Sequence, residues 1–180
     1  MAISPPQAPT ALRQARHEDA ADVAALGSHV FAVTFGHSLP SRDLNEYLEE
    51  SYSVAAITKD IADPNCDMIV ATSPEGAIIG FAQLTRGTSE PCIADLQSKI
   101  ELQRLYVHPS HHGKGIGNIL ANKLEDIARE QGFAHMWLGV WEENYKAQRV
   151  YEKLGYRMVG EHDFVMGETA QTDHIMVKPL

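Results

Sequence analysis

The sequence predicts a mixed α/β domain: a twisted sheet of about six to seven strands, with helices on both faces. Three observations predict it. Apolar residues recur at helical spacing in several separate stretches and alternate or run continuously in others, so both element types are present. A strand–helix–strand unit late in the chain implies a parallel pair, because a parallel connection needs a long crossover. Short turns elsewhere imply hairpins and hence antiparallel pairs. Helices then cover both faces of the sheet to bury their apolar stripes.

The elements follow in order. Residues 1–9 carry three prolines and no pattern, and are expected to form a mobile tail before a single domain over 10–180. Thr10 to Arg16 alternates weakly and reads as a first strand. In His17 to Phe35, Ala20, Val23, Ala24, Leu26 and Val30 take helical spacing, and Glu18 and Asp19 suit the first turn. Ser41 reads as the N-cap of a helix over Arg42 to Ser51, and Ser53 as the cap of another over Val54 to Ala62, ended before Pro64.

The pattern then changes to strands: Met68 to Ala71 and Ala77 to Leu84 flank a Ser73-Pro74-Glu75-Gly76 turn. Gly87 to Ser98 has no periodicity and reads as a loop with room for some helical content. Ile100 to Val107 is a third strand, stopped by Pro109. Gly115 to Gln131 is amphipathic through Ile116, Ile119, Leu120, Leu124, Ile127 and Ala128, and Gly132 closes it. Met136 to Trp141 is a strand and Asn144 to Leu154 a helix. Tyr156 to Met166 and Asp173 to Val177 are closing strands around a turn containing Gly167.

Composition excludes several classes. The 180 residues are 44% hydrophobic and 22% charged, which suits a globular chain with one core. No apolar run is long enough to span a membrane, and the first residues lack the pattern of a secretory signal. Two cysteines, Cys66 and Cys92, are too few for a disulfide framework or a cysteine zinc site, and read as reduced thiols of a cytoplasmic protein. The net charge of −9 argues against nucleic acid as a partner. It suits a cationic substrate, and equally plain solubility. His108, His111 and His112 cluster in sequence but lack a His-x-x-x-His spacing with a carboxylate, so no metal site is expected.

The most informative stretch is Leu105-Tyr106-Val107-His108-Pro109-Ser110-His111-His112-Gly113-Lys114-Gly115-Ile116-Gly117, a strand, a glycine-rich turn and a helix start. Free amides and the positive end of the dipole at a helix N-terminus favour an anion, and glycines let it approach the backbone. Neither the Walker pattern nor the dinucleotide fingerprint fits the glycine spacing. The loop resembles motif A of the GCN5-related N-acetyltransferases, Gln/Arg-x-x-Gly-x-Gly/Ala, with His112 in place of Gln/Arg. Asn144-Tyr145-Lys146-Ala147-Gln148-Arg149-Val150-Tyr151-Glu152-Lys153-Leu154-Gly155-Tyr156 resembles motif B of the same family.

The resemblance implies the fold of that family and acetyl transfer from acetyl-CoA to an amine. It implies that Leu105, Tyr106, Val107, His112, Gly113, Lys114, Gly115, Ile116, Gly117, Asn144 and Lys146 bind the coenzyme. The loop amides would hold the pyrophosphate, the Val107 amide the thioester oxygen, and Asn144 the pantetheine arm. Tyr151 would be the general acid that protonates the departing thiolate. A phenol suits that role, being protonated at neutral pH. Glu101 resembles the position used as base by histone-type members. Period-two alternation puts Glu101, Gln103, Leu105 and Val107 on one face, with Arg104 on the other unless a bulge intervenes. An edge carboxylate is the alternative for Glu101, and Glu142 and Glu143 are other acidic candidates.

Segments along the whole chain resemble a narrower group, the PaiA-like polyamine N-acetyltransferases. They include Thr34-Phe35-Gly36-His37, Leu138-Gly139-Val140-Trp141-Glu142 and Phe164-x-Met166-Gly167-x-x-x-Gln171-x-Asp173. That resemblance implies a small cationic amine such as spermidine or spermine as acceptor, and dimers are common among similar proteins. Asp43, Glu46, Glu49 and Glu50 on one predicted helix are candidates for the polycation, or a solvated face. Alternative readings are a peptide or protein N-acetyltransferase and a non-catalytic acyl-CoA-sensing module.

Overall fold

The computed structural model describes residues 10–180, so the expected tail over 1–9 lies outside the described residues. Seven strands form one sheet: β1 (Ala11–Gln14), β2 (Cys66–Thr72), β3 (Ile78–Thr85), β4 (Lys99–Val107), β5 (His135–Trp141), β6 (Arg157–Met166) and β7 (Thr169–Pro179). Their spatial order is β1-β2-β3-β4-β5-β7-β6. All neighbours are antiparallel except β4 and β5, joined by the crossover helix α4 (Ile116–Glu130). The sheet is thus mixed, as the connection lengths predict.

Helices cover both faces. On one side α4 and α5 (Tyr145–Lys153) pack over a core of Leu84, Ile100, Leu102, Leu120, Leu124, Met136 and Leu138. On the other, α1 (Ala20–Phe35), α2 (Ser41–Tyr52) and α3 (Val54–Ala62) enclose Val23, Phe31, Ile57, Val70 and Phe81. Burying each of these large side chains contributes roughly 1.5–3 kcal/mol relative to leaving it in water.

Boundaries differ from the sequence expectation in instructive ways. Residues 17–19 form a separate 3-10 turn before α1, because Asp19 folds back to accept from the Arg16 amide at 2.7 Å and from Arg13. Pro40, not Ser41, precedes α2, and Ser41 is its first helical residue. The last strand is longer than its apolar part, because β6 and β7 form a continuous hairpin through Gly167. Ser53 caps α3 as expected, accepting from Ala56 at 3.2 Å.

Two features of β4 set the site. The register shifts between Gln83 and Leu84, which pair with Arg104 and Leu102, so Gln103 is an extra residue in β4. The pairing of β4 with β5 covers only Lys99–His135, Ile100–Met136 and Glu101–Trp137. Beyond Glu101 and Trp137 the two strands diverge.

Candidate active site

The bulge at Gln103 corrects the alternation expected from sequence. Ile100 and Leu102 face α4, and after the extra residue so do Leu105 and Val107. Glu101, Arg104 and Tyr106 therefore share the opposite face. Glu101 lies across the sheet from Leu105 and Val107 rather than beside them, and Arg104 is on its side.

The α4 face of the divergence carries the two motifs. His108 donates its amide to Ile79 at 2.8 Å on the β3 side. By alternation, the amides of Leu105 and Val107 point the other way, into the gap toward β5. Tyr106 directs its amide to β3 and its side chain into the α1–α3 core, where it meets Tyr52. In the loop, Gly113 and Gly115 have φ of 78° and 77°, and a Cβ on either would meet nothing within 4 Å. The amides of residues 113–118 have no backbone acceptor among the described residues, and the first helical bond runs from Ile119 to Gly115. This cradle of His112 to Gly117, with the N-terminus of α4 behind it, fits a pyrophosphate by charge and by geometry. The side chain at the exchanged motif position turns away from the cradle. His112 Nε2 lies 2.9 Å from the Val107 carbonyl and ties the loop to the strand end.

Motif B sits across the gap on α5. Asn144 caps the helix, its Oδ1 accepting from Ala147 at 3.3 Å, which leaves its amide nitrogen free for another partner. Lys146 is exposed on the outer face of α5. Tyr151 packs inward with the cluster that holds Leu105 and Val107, its ring 5.7 Å from Tyr156. Burial pushes its phenol up to about 12, so it is a proton donor throughout the neutral range.

The opposite face of the divergence is lined differently. By register, Glu101 on β4 stands beside Trp137 on β5; Gly139 and Trp141 follow on the same face of β5, with Asp173 of β7 opposite Trp141 and His162 of β6 opposite Asp173. Phe35 and His37 lie against Trp141, at 5.4 and 5.9 Å between ring centroids, and Tyr47 packs edge-on to Phe164. The loop before β4 brings Glu90, whose Oε2 is 3.0 Å from His162 Nδ1. Burial pushes Glu101 up to about 7, with Glu90 adding to the rise and Thr88 and Arg104 opposing it. Burial likewise pushes Asp173 up to about 6; Glu90 adds to the rise, and His162 and His174 oppose it.

Sequence reasoning assigned no role to Asp173 or Glu90. Asp173 closes one of the family-like segments, and a carboxylate alternating with Ile175 and Val177 on a central strand was the available signal. Glu90 sits in an unpatterned loop and gave none. The acidic helix is reorganised: Asp43 is 5% exposed and accepts from Thr169 Oγ1 at 2.5 Å, docked over Gly167, where a Cβ would overlap its carboxylate. Glu46 pairs with Arg42 at 3.0 Å, and Glu49 and Glu50 are exposed. Glu142 and Glu143 are exposed too, Glu143 edging a shallow recess with Thr34, His37, Trp141, Asn144 and Tyr145.

Residues 35–156 match the model of the acetyltransferase (GNAT) family, and the chain belongs to that family. It is an acetyl-CoA-dependent N-acetyltransferase. An uncharacterised N-acetyltransferase of Mycobacterium tuberculosis is 29% identical over 162 residues, covering 90% of this chain and 98% of that protein. The streptothricin acetyltransferase of Streptomyces lavendulae is 28% identical over 63% of this chain and 57% of its own length. In fold, the chain resembles the PaiA N-acetyltransferase of Thermoplasma acidophilum, crystallised with coenzyme A. The TM-score is 0.78 at 22% identity, over 96% of this chain and all of that one.

Proposed function

We propose that the enzyme acetylates a primary amine of a small cationic acceptor, of the spermidine or spermine kind. The observation that carries this reading is the grouping of Glu90, Glu101 and Asp173 on one face of the split, floored and walled by Trp141, Phe35 and Tyr47. Carboxylates draw ammonium groups, and aromatic faces bind cations by a further ~0.5–2 kcal/mol each. On this reading coenzyme A lies along the α4 face, held by the amides of Leu105, Val107 and residues 112–117 and by Asn144. Its chemistry is to supply an activated acetyl thioester. Glu101 receives the acceptor's proton, directly or through water, and Tyr151 protonates the leaving sulfur.

The test is thiol release from acetyl-CoA against spermidine, spermine, putrescine, a lysine peptide and an aminoglycoside. Preferred turnover of the polyamines supports the reading, and turnover of the peptide alone moves the acceptor to protein. Coenzyme binding with no turnover of any amine returns the chain to the sensing-module reading. A homodimer belongs to the same proposal by family resemblance, and light scattering decides it.

A further inference from the structure

Acetylation of an ammonium carries a strict proton balance. The new C–N bond forms, the C–S bond breaks, and the nitrogen gives up two protons. One ends on the thiol, on the reading above by way of Tyr151. The other must leave to solvent. Glu101 sits at the closed apex of the strand divergence, paired in register with Trp137, which is 2% exposed.

We propose that Asp173 is a second proton-accepting carboxylate on the acceptor face, and that His162 passes its proton to solvent. Three geometric observations carry this. Asp173 and His162 are register partners on β7 and β6, so their side chains stand adjacent on one face. The His162 side chain is 41% exposed and its Nδ1 is 3.0 Å from Glu90 Oε2, so it reaches from the carboxylate group to solvent. On the neighbouring strand Gly139 leaves the room Asp173 occupies, since a Cβ there would lie 3.2 Å from Asp173 Oδ2. A further polar group lies on the same face: the Nε1 of buried Trp137 has no hydrogen-bond partner among the described residues, and its N–H is a donor that water can satisfy.

The groups facing Asp173 are His162 from β6, His174 from its own strand, Glu90 from the loop and Tyr47 from α2. The two histidines lower its affinity for a proton and Glu90 raises it. The acceptor ammonium then loses one proton to Asp173, which passes it through water to His162 and on to solvent, and Glu101 takes the second as the nitrogen attacks; Tyr151 protonates the sulfur, and in resetting the site Glu101 returns one proton to water and Tyr151 takes one up, so no other reactant is consumed. This role rests on the acceptor-face reading above, and its test separates the two.

The experiment compares wild type, Asp173→Asn and His162→Gln in kcat/KM against pH, with coenzyme A affinity measured by calorimetry. Asp173→Asn is expected to lower kcat about 100-fold, the usual worth of a proton-transfer group, with coenzyme affinity unchanged. The acid limb then holds two ionisations, Glu101 above Asp173, and His162→Gln is expected to move the lower one to higher pH, because a cation that favours the Asp173 carboxylate is gone. A merely structural residue would lower activity equally at all pH. Asp173→Asn within threefold of wild type, or an acid limb that does not move, overturns the proposal. Carbon NMR of the labelled aspartate carboxyls gives a readout independent of the acceptor. An Asp173 midpoint in the ordinary carboxylate range, or one unmoved in His162→Gln, also overturns it. Failure of every amine in the wild-type assay overturns the acceptor reading instead.

Discussion

The hydroxyls of Tyr52 and Tyr106 lie 2.7 Å apart, joining the end of α2 to the strand that opens the cleft. Arg104 stands 4.9 Å over the Tyr52 ring and is itself held by Asp60 and Gln83, each at 2.6 Å, and by the Ser51 carbonyl at 3.0 Å. This buried polar knot fixes the α2–α3 corner against β4.

The two phenols are expected to be coupled. Tyr106→Phe leaves the Tyr52 hydroxyl without its partner in a buried place, costing about 1–3 kcal/mol, and Tyr52→Phe does the reverse. The double variant should lose less than the sum of the two. Urea unfolding of all four proteins gives the coupling, and strict additivity would show the pair to be independent.

Tyr151→Phe is expected to lower kcat by about 100-fold while coenzyme A affinity stays within a factor of about two. Because burial holds the phenol at about 12, the wild-type rate should show no basic limb from this group below about pH 10. Single-turnover thiol release with calorimetry tests both statements, and equal rates in the two proteins remove Tyr151 from the chemistry.

Asp43 is expected to matter for stability and its helical neighbours for nothing measurable at the acceptor site. Asp43→Ala strips the partner from Thr169 in a buried contact and should cost about 1–3 kcal/mol in urea unfolding. Glu46→Gln, Glu49→Gln and Glu50→Gln should leave the KM for the amine unchanged. A KM raised tenfold in any of these three would put the acceptor on the outer face of α2.

Glu101 makes a stability prediction with a definite sign. Its folded value of about 7 is above the ordinary value of 4.5, so the folded protein holds a proton that the unfolded chain releases between those values. Stability should therefore fall as pH rises from about 4.5 to about 7. Glu101→Gln carries no such penalty and should gain on wild type between about pH 5 and pH 8. In activity the same ionisation runs the other way, with kcat/KM rising through about pH 7 as the carboxylate forms. Denaturant titrations at the two pH values and a pH–rate profile check the pair of signs.

Much of this architecture is legible in the chain alone. The helices α3, α4 and α5 lie within a residue or so of their expected bounds, because capping residues and apolar periodicity act locally. The loop from His112 to Gly117 is legible because its glycines serve the backbone itself. What escapes is non-local. The extra residue at Gln103 reverses the face of everything after it in β4, and nothing in Leu102-Gln103-Arg104 announces it. Asp43 looks like its neighbours in the helix, and only the arrival of Gly167 and Thr169, more than a hundred residues later, buries it. Glu90 and Asp173 meet across a loop and a strand whose juxtaposition depends on the completed sheet.

Three paired residues are all that stitch β4 to β5, and the stitch divides the sheet into a four-stranded and a three-stranded panel. The weakest seam in the sheet is therefore the one where the coenzyme is expected to lie. A ligand whose polar groups bond the open edges of both panels clasps them together, so its binding energy appears as resistance of the whole chain to unfolding. Amide hydrogens of Leu105 and Val107 should then exchange fastest in the free enzyme and become guarded once the clasp is closed. Occupancy of the active site and mechanical integrity of the sheet would be a single property of this enzyme.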